Sequence, residues 1–280
     1  MPSQVFDKLI KKEKVLEGLY KFSVEAKEIV DVAKPGNFVE IRVNENLDPF
    51  LRRPISIYNL DKEKGILEFI FQVRGNGTNV LSQKEEGDLI DIIGPLGSGT
   101  FKFKEKKNIA IIGGGIGIFP LYELAKQAKN SGLKIHTYLG FRNKELVTLE
   151  KEFEKVSSKL TITTDDGSYK EKGFAINYLI EDLNKENFDC IYACGPLPML
   201  RAVQKLAEEK NIPCQISLEE KMGCGLGVCL GCAVKTATST KENPEYVHVC
   251  KAGPVFDSKI VEIWKNNQHL ALLNSSSFSN

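Results

Sequence analysis

The alternation of apolar and polar residues changes character once along the chain, close to position 104. Up to that point the period is two, in short runs such as Phe38–Val43 and Leu67–Val73, which is typical of half-buried β-strands. The runs are interrupted by turn sequences, namely Pro35-Gly36, Asp48-Pro49 and Gly75-Asn76-Gly77. Residues 1–104 are therefore predicted to form a small antiparallel barrel or sandwich.

Between residues 105 and 215, continuous apolar runs alternate with helical periods. The predicted strands are Ile109–Ile112, Ile135–Leu139, Leu160–Thr164 and Cys190–Cys194. The predicted helices are Phe119–Lys129, Lys144–Val156, Ala175–Leu183 and Met199–Lys210. Strands that alternate with helices indicate an α/β domain with a doubly wound parallel sheet. The charged run Lys102–Lys107 is interpreted as a solvated linker between the two domains.

Residues 216–280 contain four closely spaced cysteines. The spacing Cys224-x4-Cys229-x2-Cys232, followed by Cys250, matches the plant-type pattern of a 2Fe-2S cluster, in which one loop supplies three ligands. A four-thiolate zinc site is the alternative, although zinc ligands usually come as two Cys-x2-Cys pairs and one pair is missing. A disulfide framework is disfavoured, because the chain has seven cysteines, an odd number.

Composition sets limits on function without defining it. The chain has 280 residues, 42% of them hydrophobic, which is enough for more than one core. Its 38 basic and 37 acidic residues leave a net charge of +1, so neither nucleic acid nor an anionic membrane is an expected partner. We recognise no export signal and no long apolar stretch, and we expect a cytoplasmic protein with a frayed tail over 274–280.

A glycine-rich turn follows the first predicted parallel strand. Gly113, Gly114, Gly115 and Gly117 would present bare backbone N–H groups at a helix start, where a pyrophosphate is favoured. The spacing departs from G-x-G-x-x-G, and glycines that only allow tight packing remain the alternative. A second turn, Cys194-Gly195-Pro196, also follows an apolar strand and falls at the carboxyl edge of the sheet, where ligands bind in this architecture. Together the two turns predict a dinucleotide site.

Three motifs carry a family resemblance: the cysteine loop, the Cys194-Gly195-Pro196 turn and the barrel motif Arg53-Pro54-Ile55-Ser56. In this combination the chain resembles the ferredoxin-NADP reductase superfamily over nearly its whole length. Within that superfamily, residues 219–232 resemble most closely the electron-transfer subunits of dihydroorotate dehydrogenase B. The resemblance implies an FAD-binding barrel at 1–104, an NAD-binding domain at 105–215 and a 2Fe-2S module at 216–280.

The resemblance also implies a function and a partner. Electrons would pass from FMN on a dihydroorotate dehydrogenase catalytic subunit through the 2Fe-2S cluster and FAD to NAD+, in pyrimidine biosynthesis. The implied assembly is a heterotetramer with two copies of each chain. A hydride passes directly between nicotinamide and flavin without an acid or a base, so no catalytic residue is assigned.

The resemblance assigns cofactor contacts residue by residue. The implied FAD contacts are Arg53, Pro54, Ile55, Ser56, Ile70, Phe71, Gln72, Gly77 and Thr78. The predicted cluster ligands are Cys224, Cys229, Cys232 and Cys250. Arg53 is a fixed cation that suits a pyrophosphate, and Gly77-Thr78 would open a short helix towards it. Taken alone, Arg-Pro-x-Ser is more often an ordinary edge strand.

Several questions stay open at the level of sequence. Reductase subunits linked to ferredoxin, sulfide or hydrogenase are alternative functions, as are a non-catalytic cluster or zinc module and, less strongly, a self-sufficient NADH oxidase. Arg142 could contact a 2'-phosphate or face solvent, although the resemblance favours NAD over NADP. Cys194 could lie near the nicotinamide or be a buried small hydrophobe. Glu219 and Glu220 are interpreted as solvated loop carboxylates. The residues left without an assigned role are His136, His248, His269 and the stretch Ile260–Trp264.

Overall fold

The first domain is a closed antiparallel barrel, so the alternating pattern reflects a barrel and not a sandwich. The computed structural model describes residues 2–45 and 48–263. The barrel strands are β1 (Ser3–Leu16), β2 (Leu19–Glu25), β3 (Phe38–Arg42), β4 (Arg53–Asp61), β5 (Ile66–Gln72) and β6 (Leu89–Leu96). Around the barrel their order is β1-β2-β5-β4-β3-β6. Two short helices, α1 (Lys27–Val32) and α2 (Asn76–Ser82), follow β2 and β5.

The second domain is a seven-stranded sheet with helices on both faces, which confirms the doubly wound prediction. Six of its strands are β7 (Asn108–Gly114), β8 (Lys134–Phe141), β9 (Lys159–Thr164), β10 (Glu171–Lys172), β11 (Cys190–Cys194) and β12 (Cys214–Ser217), and the seventh comes from the C-terminal module. Its helices are α3 (Phe119–Asn130), α4 (Glu150–Val156), α5 (Ala175–Leu183) and α6 (Leu197–Glu209). Leu121 and Phe153 pack α3 and α4 on one face, whereas Leu179 and Val203 pack α5 and α6 on the other.

The helix predicted over Lys144–Val156 is wrong in its first half. A short 3-10 helix covers Lys144–Leu146, and α4 begins only at Glu150. Leu149 lies between them with a left-handed backbone at φ 59°, which ends any continuous helical hydrogen bonding. The apolar residues Leu146, Leu149, Phe153 and Val156 follow a helical period that the backbone takes up only from Glu150.

The C-terminal module is continuous with the second domain. It contains β13 (Ala233–Lys235), β14 (Tyr246–His248) and β15 (Val255–Asp257). Strand β15 pairs antiparallel with β12 and completes the sheet order β10-β9-β8-β7-β11-β12-β15. The expected domain boundary at 215/216 therefore lies inside β12. Of the apolar stretch Ile260–Trp264, Val261 and Ile263 are buried in the same core, while Trp264, His269 and the tail 274–280 lie outside the described residues.

None of the helices in the described part of the chain has the length and apolar character needed to cross a bilayer.

Candidate functional site

Two cavities adjoin where the barrel meets the parallel sheet. The larger has a volume of about 990 Å³ and the smaller about 280 Å³. The residues that line both are Gln72, Arg74, Ile116, Phe119 and Glu219. A group bound in one cavity would therefore meet a group bound in the other at this shared wall.

The smaller cavity collects most of the residues predicted to contact a flavin. Its barrel side is lined by Pro54, Ile55, Ser56, Ile70, Phe71, Gln72 and Thr78. Strands β4 and β5 are consecutive in the chain and neighbours in the barrel, so their two predicted segments face one space. Arg53 and Gly77 are absent from this lining among the described residues.

Arg53 instead lies across the first turn of α2. A side chain on Gly77 would overlap the Arg53 guanidinium, which places that cation against the helix start. The Thr78 hydroxyl accepts from the Arg74 N–H at 2.9 Å and ties the same turn together. A guanidinium beside the N–H groups of a helix start attracts an anion, so a flavin in the cavity would direct its pyrophosphate this way. The residues present fit FAD.

The larger cavity is built around the two turns predicted to bind a dinucleotide. Gly114, Gly115, Gly117, Gly195 and Pro196 line it. Strands β7 and β11 run parallel and pair directly, which brings the two turns to one edge. A Cβ on Gly117 would lie 2.5 Å from the Gly195 Cα, so the turns touch backbone to backbone. The glycines thus serve close packing and also line the cavity, so tight packing does not compete with the predicted nucleotide contact.

Gly113 and Cys194 lie behind this lining. Both are buried, and Cys194 is 1% exposed. Burial raises the pKa of the Cys194 thiol, and the nearby Glu219 carboxyl raises it further. Of the two interpretations of Cys194, a buried small hydrophobe describes its surroundings better than a residue facing the cavity.

The outer wall of the larger cavity carries mixed charge at the carboxyl ends of β8 and β9. Arg142, Glu145 and Asp165 all line it. Two carboxylates beside one guanidinium suit the hydroxyls of an unphosphorylated ribose better than a 2'-phosphate dianion. This balance favours NAD over NADP.

Glu219 occupies a position that the sequence underestimated. It lines both cavities, and it lies two residues after the end of β12 at the sheet edge. Glu219 is reached by solvent through the cavities. Its carboxyl is nevertheless partly desolvated by the surrounding cavity walls, which raises the pKa of Glu219 against the lowering effect of Arg74. A glutamate after an apolar strand was the available signal, but only the fold places it at the shared wall.

The four predicted cluster ligands form two pairs. The thiols of Cys224 and Cys229 interact with each other, and the Cys250 N–H donates to Cys232 Sγ at 3.4 Å. In the part of the chain that the structure describes, no three His, Cys, Asp or Glu side chains converge on a single metal position. Two thiol pairs suit a binuclear cluster, in which each iron takes two cysteines, better than one tetrahedral zinc.

The surroundings of Cys224 stabilise its thiolate form. Its Sγ accepts backbone N–H groups from Leu226, Val228 and Cys229 at 3.4, 3.3 and 3.4 Å. Burial alone would raise its pKa, but these N–H donors lower the pKa of Cys224 to about 6. In contrast, burial and then the neighbouring Cys232 raise the pKa of Cys250 to about 12. N–H groups aimed at sulfur are the second coordination shell that an iron-sulfur cluster needs.

The cysteine loop, residues 223–232, lies beside the smaller cavity. Leu218, Glu220, Met222 and Pro254, which flank the first and last ligands, line that cavity together with the flavin-side residues. The outer side of the loop is apolar and exposed, with Leu226, Val228 and Leu230 at 48%, 78% and 59% exposure. An exposed apolar surface of this kind is typical of a contact with another chain.

Family models match three consecutive parts of the chain. An oxidoreductase FAD-binding domain matches residues 8–102, and an oxidoreductase NAD-binding domain matches 111–205. The iron-sulfur cluster binding domain of dihydroorotate dehydrogenase B matches 219–262. The three matches fall on the barrel, the parallel sheet and the cysteine module.

Curated relatives match over most of their length. The electron transfer subunit of dihydroorotate dehydrogenase B (NAD(+)) of Lysinibacillus sphaericus is 37% identical over 258 residues, covering 91% of this chain and 97% of the relative. The subunit of the same name from Bacillus caldolyticus is 41% identical over 246 residues, covering 86% and 92%.

Solved structures agree on the fold. A structure of NADH-dependent reduced ferredoxin-NADP oxidoreductase, studied for flavin-based electron bifurcation, has a TM-score of 0.81 and 31% identity, covering 92% of this chain and 90% of that one. The cytochrome b5 reductase domain of Ulva prolifera nitrate reductase has a TM-score of 0.60 at 18% identity, covering 79% and 96%, and indicates the fold alone.

Proposed function

Because this chain belongs to the family of dihydroorotate dehydrogenase B electron transfer subunits, we propose that it carries electrons from dihydroorotate oxidation on a partner chain to NAD+. It is a flavin- and NAD-linked oxidoreductase subunit with an iron-sulfur module. The proposal includes FMN on the partner, two copies of each chain and a place in pyrimidine biosynthesis.

One observation carries the proposal. The smaller cavity is lined on one side by residues that flank the cluster ligands, such as Met222 and Pro254, and on the other by Ser56 and Gln72 of the barrel. It then shares a wall with the nucleotide cavity. The order cysteine loop, flavin cavity, nucleotide cavity is the spatial order that a relay requires.

In this relay the chain binds and aligns cofactors. FAD supplies the exchange between two-electron hydride transfer and single electrons, and a 2Fe-2S cluster carries single electrons. We assign pyrophosphate binding to Arg53 and Gly77, and the positioning of the flavin ring to Ser56 and Gln72. Gly114–Gly117 and Gly195-Pro196 would hold the NAD pyrophosphate, and the four cysteines would hold the cluster.

The partner would cover the exposed side of the cysteine loop. Leu226, Val228 and Leu230 offer apolar area there, next to ligand Cys229, which is itself exposed. A permanent subunit contact of this kind shortens the electron path between chains and excludes water. No two of the seven cysteines, all of which are described residues, form a disulfide, and this suits a cytoplasmic location.

The test is dihydroorotate-dependent reduction of NAD+ by the anaerobically purified chain together with its FMN subunit, compared with each chain alone. We expect reduction by the complex only. Iron, zinc and flavin are quantified in the same sample, because zinc in place of iron would support a structural module. Full FAD and iron content without NAD+ reduction would exclude this partner.

A second candidate has one specific observation in its favour. The ferredoxin-linked oxidoreductase structure matches this chain at 31% identity and a TM-score of 0.81. Replacing dihydroorotate by reduced ferredoxin in the same assay separates the two functions. Under the first proposal, reduced ferredoxin gives NAD+ reduction at background rate.

A further inference from the structure

We infer that Glu123 and Lys126 of α3 are positioning residues that fix the nucleotide turn (Gly113–Ile118) relative to the flavin strand (Arg53–Ser56). The inference rests on the proposed function, because this alignment matters only if a nicotinamide and a flavin meet at the shared wall. Among the described residues that line the two cavities, neither Glu123 nor Lys126 is present. They act through the backbone that they hold.

Strand β4 loses its partner on one side halfway along its length. Its first half pairs with β3 as far as Ser56, and its second half pairs with β5 alone. Helix α3 occupies the open edge. The Leu60 N–H donates to Glu123 Oε2 at 2.9 Å, and the Leu60 carbonyl accepts from Lys126 Nζ at 2.9 Å. The two side chains bind both polar groups of one residue, as a neighbouring strand would.

The Glu123 carboxylate is buried and fully bonded. Its side chain is 2% exposed, and Oε2 also lies 2.7 Å from Lys126 Nζ. Oε1 accepts from Gln127 Nε2 at 2.7 Å, and Lys126 donates to the Asn59 side-chain oxygen as well. A buried ion pair adds little net stability over an apolar contact, but its directional bonds are satisfied in one alignment only. Alignment of helix and strand is therefore the effect that we assign to the pair.

The contacts of Glu123 and Lys126 with Leu60, which we call the clamp, lie close to both the nucleotide turn and the flavin strand. Helix α3 begins at Phe119, which lines both cavities and directly follows the nucleotide turn. Glu123 is four residues further, about 6 Å along a helix axis. Leu60 is four residues beyond Ser56, about 13 Å along a strand. A shift of α3 along β4 would displace the nucleotide turn relative to Ser56 by a similar amount.

Hydride transfer is sensitive to such a displacement. Misplacement of reacting groups by about 1 Å lowers a rate by about 100-fold. Loss of the clamp should thus slow transfer from NADH to FAD while the FAD contacts themselves stay intact.

The experiment compares Glu123→Leu, which removes the acceptor, with Glu123→Gln, which retains an oxygen for the Leu60 N–H. Glu186→Leu is the matched control, because Glu186 pairs with Lys134 at 2.7 Å within the second domain. Three quantities are measured on the purified full chain loaded with FAD and iron. They are the single-turnover rate of FAD reduction by NADH, the long-wavelength charge-transfer absorbance and hydrogen exchange at the Leu60 amide.

We expect Glu123→Leu to slow FAD reduction by about 10- to 100-fold, weaken the charge-transfer band and speed Leu60 exchange, with FAD content unchanged. Glu123→Gln should retain the charge-transfer band. Glu186→Leu should match the wild type in all three measurements. If Glu123→Leu does not fold, Lys126→Met, at a position 25% exposed, takes its place.

A wild-type rate in a folded Glu123→Leu chain with fast Leu60 exchange would overturn the inference. Failure of the proposed function looks different, because dihydroorotate and the FMN subunit would then give no NAD+ reduction with the wild-type chain, whatever the rate of FAD reduction by NADH. Leu60 exchange would still report the clamp in that case.

Discussion

The barrel is joined to the second domain and to the cysteine module in two different ways. At the first junction, side chains of α3 reach the backbone of β4, through Glu123 and Lys126 at Leu60. Tyr58 and Tyr122 stack beside them with ring centroids 4.8 Å apart. Contacts through long side chains leave the two backbones separate.

At the second junction the backbones themselves meet. The Ser98 N–H donates to the Lys251 carbonyl at 2.9 Å, and the Gly99 N–H donates to the Gly253 carbonyl at 2.9 Å. These bonds hold the segment that follows the last ligand, Cys250. Such close approach requires small residues and tolerates little change.

A buried carboxylate at each junction shows what the difference means. Glu123 has all its partners, whereas neither oxygen of Glu40 has a hydrogen-bond partner within the described residues. Glu40 is 1% exposed and faces the cysteine loop, where a Cβ on Gly225 would lie 2.8 Å from its carboxyl carbon. Burial raises the pKa of Glu40 to about 7, against the lowering effect of Arg52. The buried carboxylate at the first junction therefore has hydrogen-bond partners, whereas the one at the second junction has none among the described residues.

The largest effect is expected when the iron-sulfur cluster beside the second junction is removed while the first junction stays intact. Cys250→Ser should remove the cluster and abolish electron transfer to the partner, because one iron loses a thiolate. NADH-dependent reduction of a dye through FAD should persist. Iron content and dye reduction are the measurements, with Cys214→Ser as the control, since Cys214 is a buried cysteine outside the loop. Loss of dye reduction as well would show that the two junctions are not separable.

The next effect tests the close backbone approach. Gly99→Ala places a methyl group 2.6 Å from the Ala252 carbonyl oxygen, so the module must move. We expect a loss of about 1–3 kcal/mol in the free energy of unfolding, together with lower iron content. Gly75→Ala is the matched control, because nothing lies within 4 Å of a Cβ there. Equal stability of the two variants in thermal unfolding would contradict a tight junction.

The unsatisfied carboxylate gives a pH-dependent prediction. The folded pKa of Glu40, about 7, lies above its ordinary value of 4.5, so the native state retains a proton that the unfolded chain releases. Stability from this group is therefore present at low pH and is lost as pH rises from about 4.5 to about 7. Glu40→Gln should be more stable than the wild type by roughly 1–3 kcal/mol near pH 8, with the advantage shrinking towards pH 5.

Denaturant unfolding of both chains across this range measures the effect. A difference between Glu40→Gln and wild type that stays constant with pH would mean that Glu40 gains a partner in the loaded protein.

The smallest effect concerns the stacking of Tyr58 on Tyr122 at the first junction, which does not depend on directional hydrogen bonds. Tyr122→Leu should cost about 0.5–1.5 kcal/mol, because it removes the stacked pair and keeps an apolar side chain. Charge-transfer absorbance should stay at the wild-type level, since Glu123 and Lys126 still align α3 with β4. A weaker band in Tyr122→Leu would assign the alignment to the aromatic pair.

Much of the fold could be predicted because its signals are local. The period-two runs of the barrel and the alternating apolar runs of the second domain each reflect burial of one strand or helix. The prediction failed over Lys144–Leu149, where a left-handed backbone at Leu149 interrupts a helical spacing of apolar residues. The periodicity of a sequence does not show where one residue adopts an unusual backbone dihedral angle.

The sequence by itself determined the chemistry that depends on short spacing: the cysteine loop, the glycine turn and the Arg53–Ser56 motif. The tertiary structure alone decided how these parts face each other. Glu123 and Leu60 are 63 positions apart, and Glu40 reaches Gly225 only because the cysteine module lies against β3. Spacing within a loop is encoded in neighbouring residues, whereas a contact between domains depends on the path of every element between them, and no local pattern carries that path.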